Sequence, residues 1–252
     1  METLEPLARM RRSILKAAFN AGEGHIASAF SILELVDAVY STFSLEQNGP
    51  DKFVLSKGHA SLALYAVLGE HGFISNDWVE DFCKLNSRYG GHPDSIQIPE
   101  ISISSGSLGH GLPFAVGLAL ANRAKGVSSR VAVLVGDGEL NEGSNWEALL
   151  VANHHKLDGF QVIVDFNHSG DRAIELGNLA SKFTAFGCEV IEIEGHNSKI
   201  ISEALVRKSH GVKAIIAKTI KGYGIHAMQG NPEWHHKAPN LEQFNTFIEE
   251  LK

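Results

Sequence analysis

The chain has 252 residues, 44% hydrophobic and 8% aromatic, which suffices for one large α/β core or two small domains. We read it as one domain spanning 1–252. Lys and Arg total 22 against 29 Asp and Glu, a net charge of −7, and no basic stripe suggests nucleic acid. No apolar run approaches membrane-spanning length, Met1 to Pro6 lacks a cationic-then-apolar leader pattern, and Cys83 and Cys188 lack metal-ligand spacing, reading as small core residues of a reducing, cytoplasmic compartment.

Leu7 to Asn20 has helical spacing and stops at glycines 22 and 24. Ser31 is expected to cap a helix from Ile32 to Tyr40. Lys52 to Ser56 reads as a short buried strand, followed by helices from Ser61 to Glu70 and from Asp77 to Leu85. Asn86 to Gly109 is loop-like, and Leu112 to Ala124 is again helical. Two β-branched apolar runs follow, one from Arg130 into Gly136-Asp137-Gly138 and one from Phe160 to Asn167, with an amphipathic helix between them. A helix Leu179–Phe186, a strand Glu189–Ile193, a helix Ser198–Lys208 and a strand Lys213–Ala217 come next. A loop, Thr219 to Asn240, leads to a last helix. Alternation of strand and helix predicts a doubly wound, mostly parallel sheet covered on both faces.

Asp137 and Asn167 close successive strands, where open parallel sheets bind ligands. A carboxylate and an amide oxygen are hard ligands, suited to Mg²⁺ that keeps other positions for phosphate oxygens. The third ligand is expected to be the Ser169 carbonyl. Alone, Gly136-Asp137-Gly138 reads more often as a plain turn with a capping Asp, and it is the pairing with Asn167 that changes the odds. Ser105 to Gly111 is rich in glycine ahead of a helix, either a phosphate cradle or a flexible capping loop. His25, His59, His92 and His235 lie in glycine- or proline-marked loops, where imidazoles suit hydrogen bonding to hydroxyls and phosphates. His154, His155, His210 and His226 read as surface residues, and Glu142 and Glu147 either as helix N-terminal carboxylates or as an interface network.

Gly136 through Ala148, followed by Asp165-Phe166-Asn167, resembles the thiamine diphosphate motif of transketolases. Gly24-His25, Phe53 to His59, Gly91 to Asp94 with Ser105 to Gly109, and Lys218 to Gly224 with Trp234-His235 resemble further family segments in order. The resemblance covers essentially the whole chain and is to the amino-terminal, diphosphate-binding domain alone. It implies the amino-terminal subunit of a split transketolase, a transferase of carbohydrate metabolism whose pyrimidine-binding half is a separate polypeptide. It also implies an α2β2 heterotetramer.

By the same resemblance, Asp137, Asn167 and the Ser169 carbonyl would hold magnesium. Gly138, Gly106, Leu108, His59, Asn167 and His235 would bind the cofactor. His25, His92 and His235 would be catalytic, contacting substrate hydroxyls or assisting proton transfer. Glu142 and Glu147, grouped with the cofactor-binding residues, would link paired active sites. The implied reaction moves a two-carbon ketol unit from a ketose, free or phosphorylated, to an aldose, with the cofactor as electron sink. The glutamate that drives the aminopyrimidine to its reactive tautomer belongs to the missing half, so the lone chain is expected to bind cofactor poorly and not to turn over. Departures from the family pattern are a shortened stretch between Asn167 and Phe183, Ser169 in place of an apolar residue, His110 for Gln, His236 for Gly, and Ala27-Ser28 for a glycine pair. They point to a specialised donor or acceptor. Two other readings stand beside this one: an alpha-type subunit of a 2-oxo acid dehydrogenase, and a non-catalytic scaffold subunit.

Overall fold

The computed structural model describes residues 4–46 and 49–251. Met1 to Thr3, part of the stretch read for a leader, lie outside the described residues. Five parallel strands are Lys52–Leu55 (β1), Val131–Gly136 (β2), Phe160–Phe166 (β3), Glu189–Glu194 (β4) and Lys213–Lys218 (β5), in the order β1-β2-β3-β5-β4.

Strand alternation splits the interior into two cores. Ala132 and Leu134 of β2, Ile163 of β3 and Ile215 of β5 face one side. That core is filled from helices Pro6–Ala21 (α1), Ile26–Thr42 (α2), Ser61–Glu70 (α3), Ser198–Val206 (α8) and Leu241–Glu250 (α9). Val131, Val133, Val135, Val162, Val164 and Ile216 face the other side, covered by Gly111–Ala124 (α5), Gly143–His154 (α6) and Leu179–Ala185 (α7). Central strands wetted on neither face must be apolar on both, which is why β2 reads as an unbroken run of buried residues. This is the doubly wound α/β fold. Among the described residues no helix is long and apolar enough to cross a membrane.

Two local expectations are corrected. Ser31 does not cap a helix: it lies inside α2, which starts at Ile26, and its hydroxyl donates to Asp165 Oδ1 at 2.7 Å. The hydroxyl donates to a fully buried carboxylate, a charge-assisted bond stronger than the one a capping hydroxyl accepts from a helix N–H. The helix expected from Asp77 to Leu85 shrinks to Trp78–Asp81 (α4). There Cys83 takes φ 54°, and its N–H donates to the Tyr89 carbonyl at 2.8 Å instead of continuing the helix.

Candidate functional site

Gly136 of β2 lies level with Asp165 of β3, so the residues that follow the two strands meet at one edge of the sheet. Asp137 Oδ1 accepts the Gly138 N–H at 2.6 Å and the Gly170 N–H at 3.3 Å. The approach of these two loops needs glycine: a Cβ at Gly170 would stand 2.7 Å from Gly138 Cα and N. Asp137 Oδ2 is buried and has no hydrogen-bond partner. Burial, and then the nearby Asp165, raise the Asp137 carboxyl above its ordinary range, against the pull of the Gly138 amide. A buried carboxylate oxygen without a donor is a natural seat for a cation.

Asn167 is oriented by its amide nitrogen, which donates to Ser31 Oγ at 2.9 Å and to Asp165 Oδ2 at 3.0 Å. Its Oδ1 accepts the Ser169 N–H at 3.0 Å and retains a second lone pair. Asp165 forms the floor beneath both. It is fully buried and also accepts from Lys57 Nζ and Thr219 Oγ1. Glu139 ties the neighbouring loops together, accepting from Ser56 Oγ, from the Gly109 N–H at 3.0 Å and from the Gly136 N–H at 3.2 Å. Burial raises its carboxyl as well.

A cavity of about 160 Å³ lies over these groups, with Asp137, Gly138, Asn167, Ser169, His59, Leu108 and His235 on its wall, joined by Lys57, Glu139 and Lys221. An adjoining hollow of about 320 Å³ shares Asn167, Ser169, Lys221 and His235. A larger cavity, about 470 Å³, is elsewhere, beside β1 between Tyr40, Phe53 and Phe73. Its buried carboxylate Asp51 is already paired with Arg130, so size does not make it the site.

The four loop histidines converge. The His25 ring lies 5.2 Å from His59, 5.3 Å from His235 and 6.4 Å from His92, and 4.4 Å from His236. Burial first, then His236 and His235, push His25 down to about 3. Burial and Lys57 push His59 down to about 2. Burial and Lys221 lower His235, against which Lys221 Nζ rests at 2.8 Å from Nδ1. Burial, then Lys57, bring Lys221 itself down to about 8. Neutral imidazoles offer one donor and one acceptor each, which fits sugar hydroxyls.

Three of the residues read as cofactor-binding do not reach the cavity wall in this chain. Gly106 is held against the His92 ring, where a Cβ would stand 3.3 Å from the ring. Glu142 and Glu147 are exposed. The Gly109 amide, which a phosphate cradle would offer, is spent on Glu139. Conversely Lys57, Glu139, Asp165 and Lys221 belong to the site and were not singled out from sequence. Asp165 had a readable signal, since a charge inside an apolar strand must be paired. His154, His155, His210 and His226 are exposed, as expected of surface residues. Among the described residues no group of three or more His, Cys, Asp or Glu is arranged to hold a metal. A cation at Asp137 would therefore draw on amide and backbone oxygens, a hard donor set.

Residues 7–246 match the family described as transketolase, thiamine diphosphate binding domain. The chain is 37% identical to an apulose-4-phosphate transketolase subunit of Actinobacillus succinogenes, over 97% of this chain and 93% of that one. It is 35% identical to human transketolase over 96% of its own length but only 41% of that protein's. The structure of Campylobacter jejuni transketolase superposes with a TM-score of 0.89 at 28% identity, covering 99% of this chain and 43% of that one.

Proposed function

The chain belongs to the transketolase thiamine diphosphate-binding domain family, and from that membership we propose how its site holds the cofactor. It is a transketolase subunit that binds thiamine diphosphate. Relatives that match it over nearly their whole length are themselves named as one subunit of a transketolase, which implies a separate partner. This likeness favours transketolase over the 2-oxo acid dehydrogenase and scaffold readings.

The observation that carries the proposal is the buried, unpartnered Asp137 Oδ2, of a residue that shares its cavity wall with Asn167. Magnesium would be held by Asp137, Asn167 Oδ1 and the Ser169 carbonyl. When bound, thiamine diphosphate supplies the carbanion chemistry that moves a two-carbon ketol unit. Lys57 and Lys221 supply positive charge to the cavity that receives the diphosphate, with His59, Gly138 and Leu108 on the same wall. His25, His92 and His235 present imidazoles to substrate hydroxyls and pass protons there. The cavity is below the usual ligand-pocket range of about 300–1,000 Å³. This supports a partner that covers the rest of the cofactor. Exposed Phe114 of α5 and Leu150 and Val151 of α6, near Glu142 and Glu147, support further association, which we assign to an α2β2 assembly. We take the chain as a single domain acting in the cytoplasm on a ketose phosphate, with apulose 4-phosphate, named for a relative, as the first donor to try.

The test is calorimetric binding of thiamine diphosphate by the chain reconstituted with its partner. Binding should need magnesium and be lost in Asp137→Ala. Magnesium-independent binding of equal strength would overturn the site. Absence of ketol transfer from every ketose phosphate tried would overturn the activity.

A further inference from the structure

β4 ends at Glu194, and Gly195-His196-Asn197 leads into α8. His196 turns inward, its side chain 11% exposed, and both ring nitrogens are used. Nε2 accepts the Ile220 N–H at 2.8 Å. An accepting ring nitrogen carries no proton, so the proton lies on Nδ1, which donates to Glu34 Oε2 at 3.2 Å. Glu34, on α2, is 2% exposed, and its other oxygen is gripped by Arg11 from α1. Burial opposes the Glu34 charge, but the His196 hydrogen bond and the Arg11 charge outweigh it and hold the carboxyl below its ordinary value. The imidazole face stacks on Tyr223 at 3.7 Å, and Arg11 Nε donates to the Tyr223 carbonyl at 3.3 Å.

What this network grips is the segment from Thr219 to Tyr223. Ile220 points its side chain outward, 43% exposed, so its backbone is what ties it in. Its two neighbours face the site: the Thr219 hydroxyl donates to Asp165, and Lys221 lines the cavity and touches His235. We propose that His196 is a positioning residue of the cofactor site. Glu34 fixes it as the Nδ1–H tautomer, and its Nε2 fixes the Ile220 backbone and with it the placement of Thr219 and Lys221. His196 touches neither cofactor nor substrate. Its consequence for binding rests on the function proposed above; its grip on Ile220 does not.

Two readouts separate those layers. Hydrogen exchange of the Ile220 amide in the lone chain reads the grip, and magnesium-dependent thiamine diphosphate affinity of the reconstituted pair reads the consequence. A glutamine can place its Oε1 where Nε2 lies, whereas an asparagine keeps a donor for Glu34 but falls short of Ile220. His196→Gln should therefore retain amide protection and affinity near wild type. His196→Asn and His196→Ala should each lose about tenfold in both, the scale of one hydrogen bond. If His196→Gln behaves like His196→Ala, stacking on Tyr223 is the operative contact; if His196→Asn stays protected, the Nε2 bond is not what holds Ile220; either result overturns the proposal. If protection is lost while affinity holds, the grip is real but plays no part in positioning the cofactor site, and the proposal equally falls. A pair in which even the wild type binds no cofactor would sink the functional reading, while the exchange data still judged the grip.

Discussion

Asp137→Asn should make the empty chain more stable and the loaded enzyme less so. Asp137 is 3% exposed, its Oδ2 has no partner, and Asp165 lies close enough to raise its carboxyl further. A buried charged oxygen without a partner costs about 1–3 kcal/mol. The amide nitrogen that replaces it also lacks an acceptor, so the gain should fall at the lower end, about 1 kcal/mol. For a chain of this length that is about 2–4 °C in melting temperature. The wild type, with magnesium and thiamine diphosphate at about 100 times Kd, should gain about 2.7 kcal/mol, and the variant almost nothing. The sign with pH follows from the raised carboxyl. The wild type has its full relative stability below the unfolded-state value of about 3.9 and loses it as pH rises through the higher folded-state value. The advantage of the variant should therefore be absent below the unfolded-state value and grow as pH rises through the higher folded-state value. Differential scanning calorimetry of the lone chain reads the first effect, and the reconstituted pair with ligands reads the second. A ligand-free variant that melts below wild type at pH 7.5, or one that still gains cofactor-dependent stability, would refute the reasoning.

Asp165→Asn should be far more damaging, because it leaves the Lys57 ammonium unpaired at 4% exposure. We expect a loss of about 3–5 kcal/mol in urea unfolding, and a loss under about 1 kcal/mol would contradict the role given to Asp165. His25 and His59 should stay neutral from pH 5 to 8, with flat ring-proton shifts by NMR, since burial drives both well below that window. Their lowered values stabilise the fold above the unfolded-state value of about 6.5, and that contribution drains away as pH falls below it; titration of either ring between pH 5 and 8 would be incompatible with this. Gly170→Ala forces a Cβ to within 2.7 Å of Gly138. It should cost about 1–3 kcal/mol in thermal melts and weaken magnesium-dependent binding, and wild-type behaviour in both would mean the loop yields freely.

The parts of this molecule governed by short-range pattern were legible before the structure. Helix α3 falls at Ser61–Glu70 as read, and Asp137 and Asn167 end adjacent strands, because apolar runs and glycine breaks determine where strands stop. The parts governed by distant partners were not. Ser31 looks like a helix cap on local grounds, and only the return of β3 beneath α2 gives its hydroxyl a carboxylate 134 positions away. Lys57 and Lys221 read as ordinary loop cations until the sheet edge brings them to one cavity. Glu142 and Glu147 carry the family's spacing, but in this chain they face outward.

The carboxylate of Asp165 bears on how the chain reaches its native state. Its donors stand 134, 108 and 54 positions away along the chain, in Ser31, Lys57 and Thr219, with only Asn167 close by. Closing loops of that length comes late and slowly, since entropy is lost before any contact rewards it. The pocket floor is therefore completed only after several long loops have closed. A vitamin-derived ligand then acts as a ratchet on completed molecules rather than as a template for nascent ones, and excess cofactor should slow unfolding without hastening refolding.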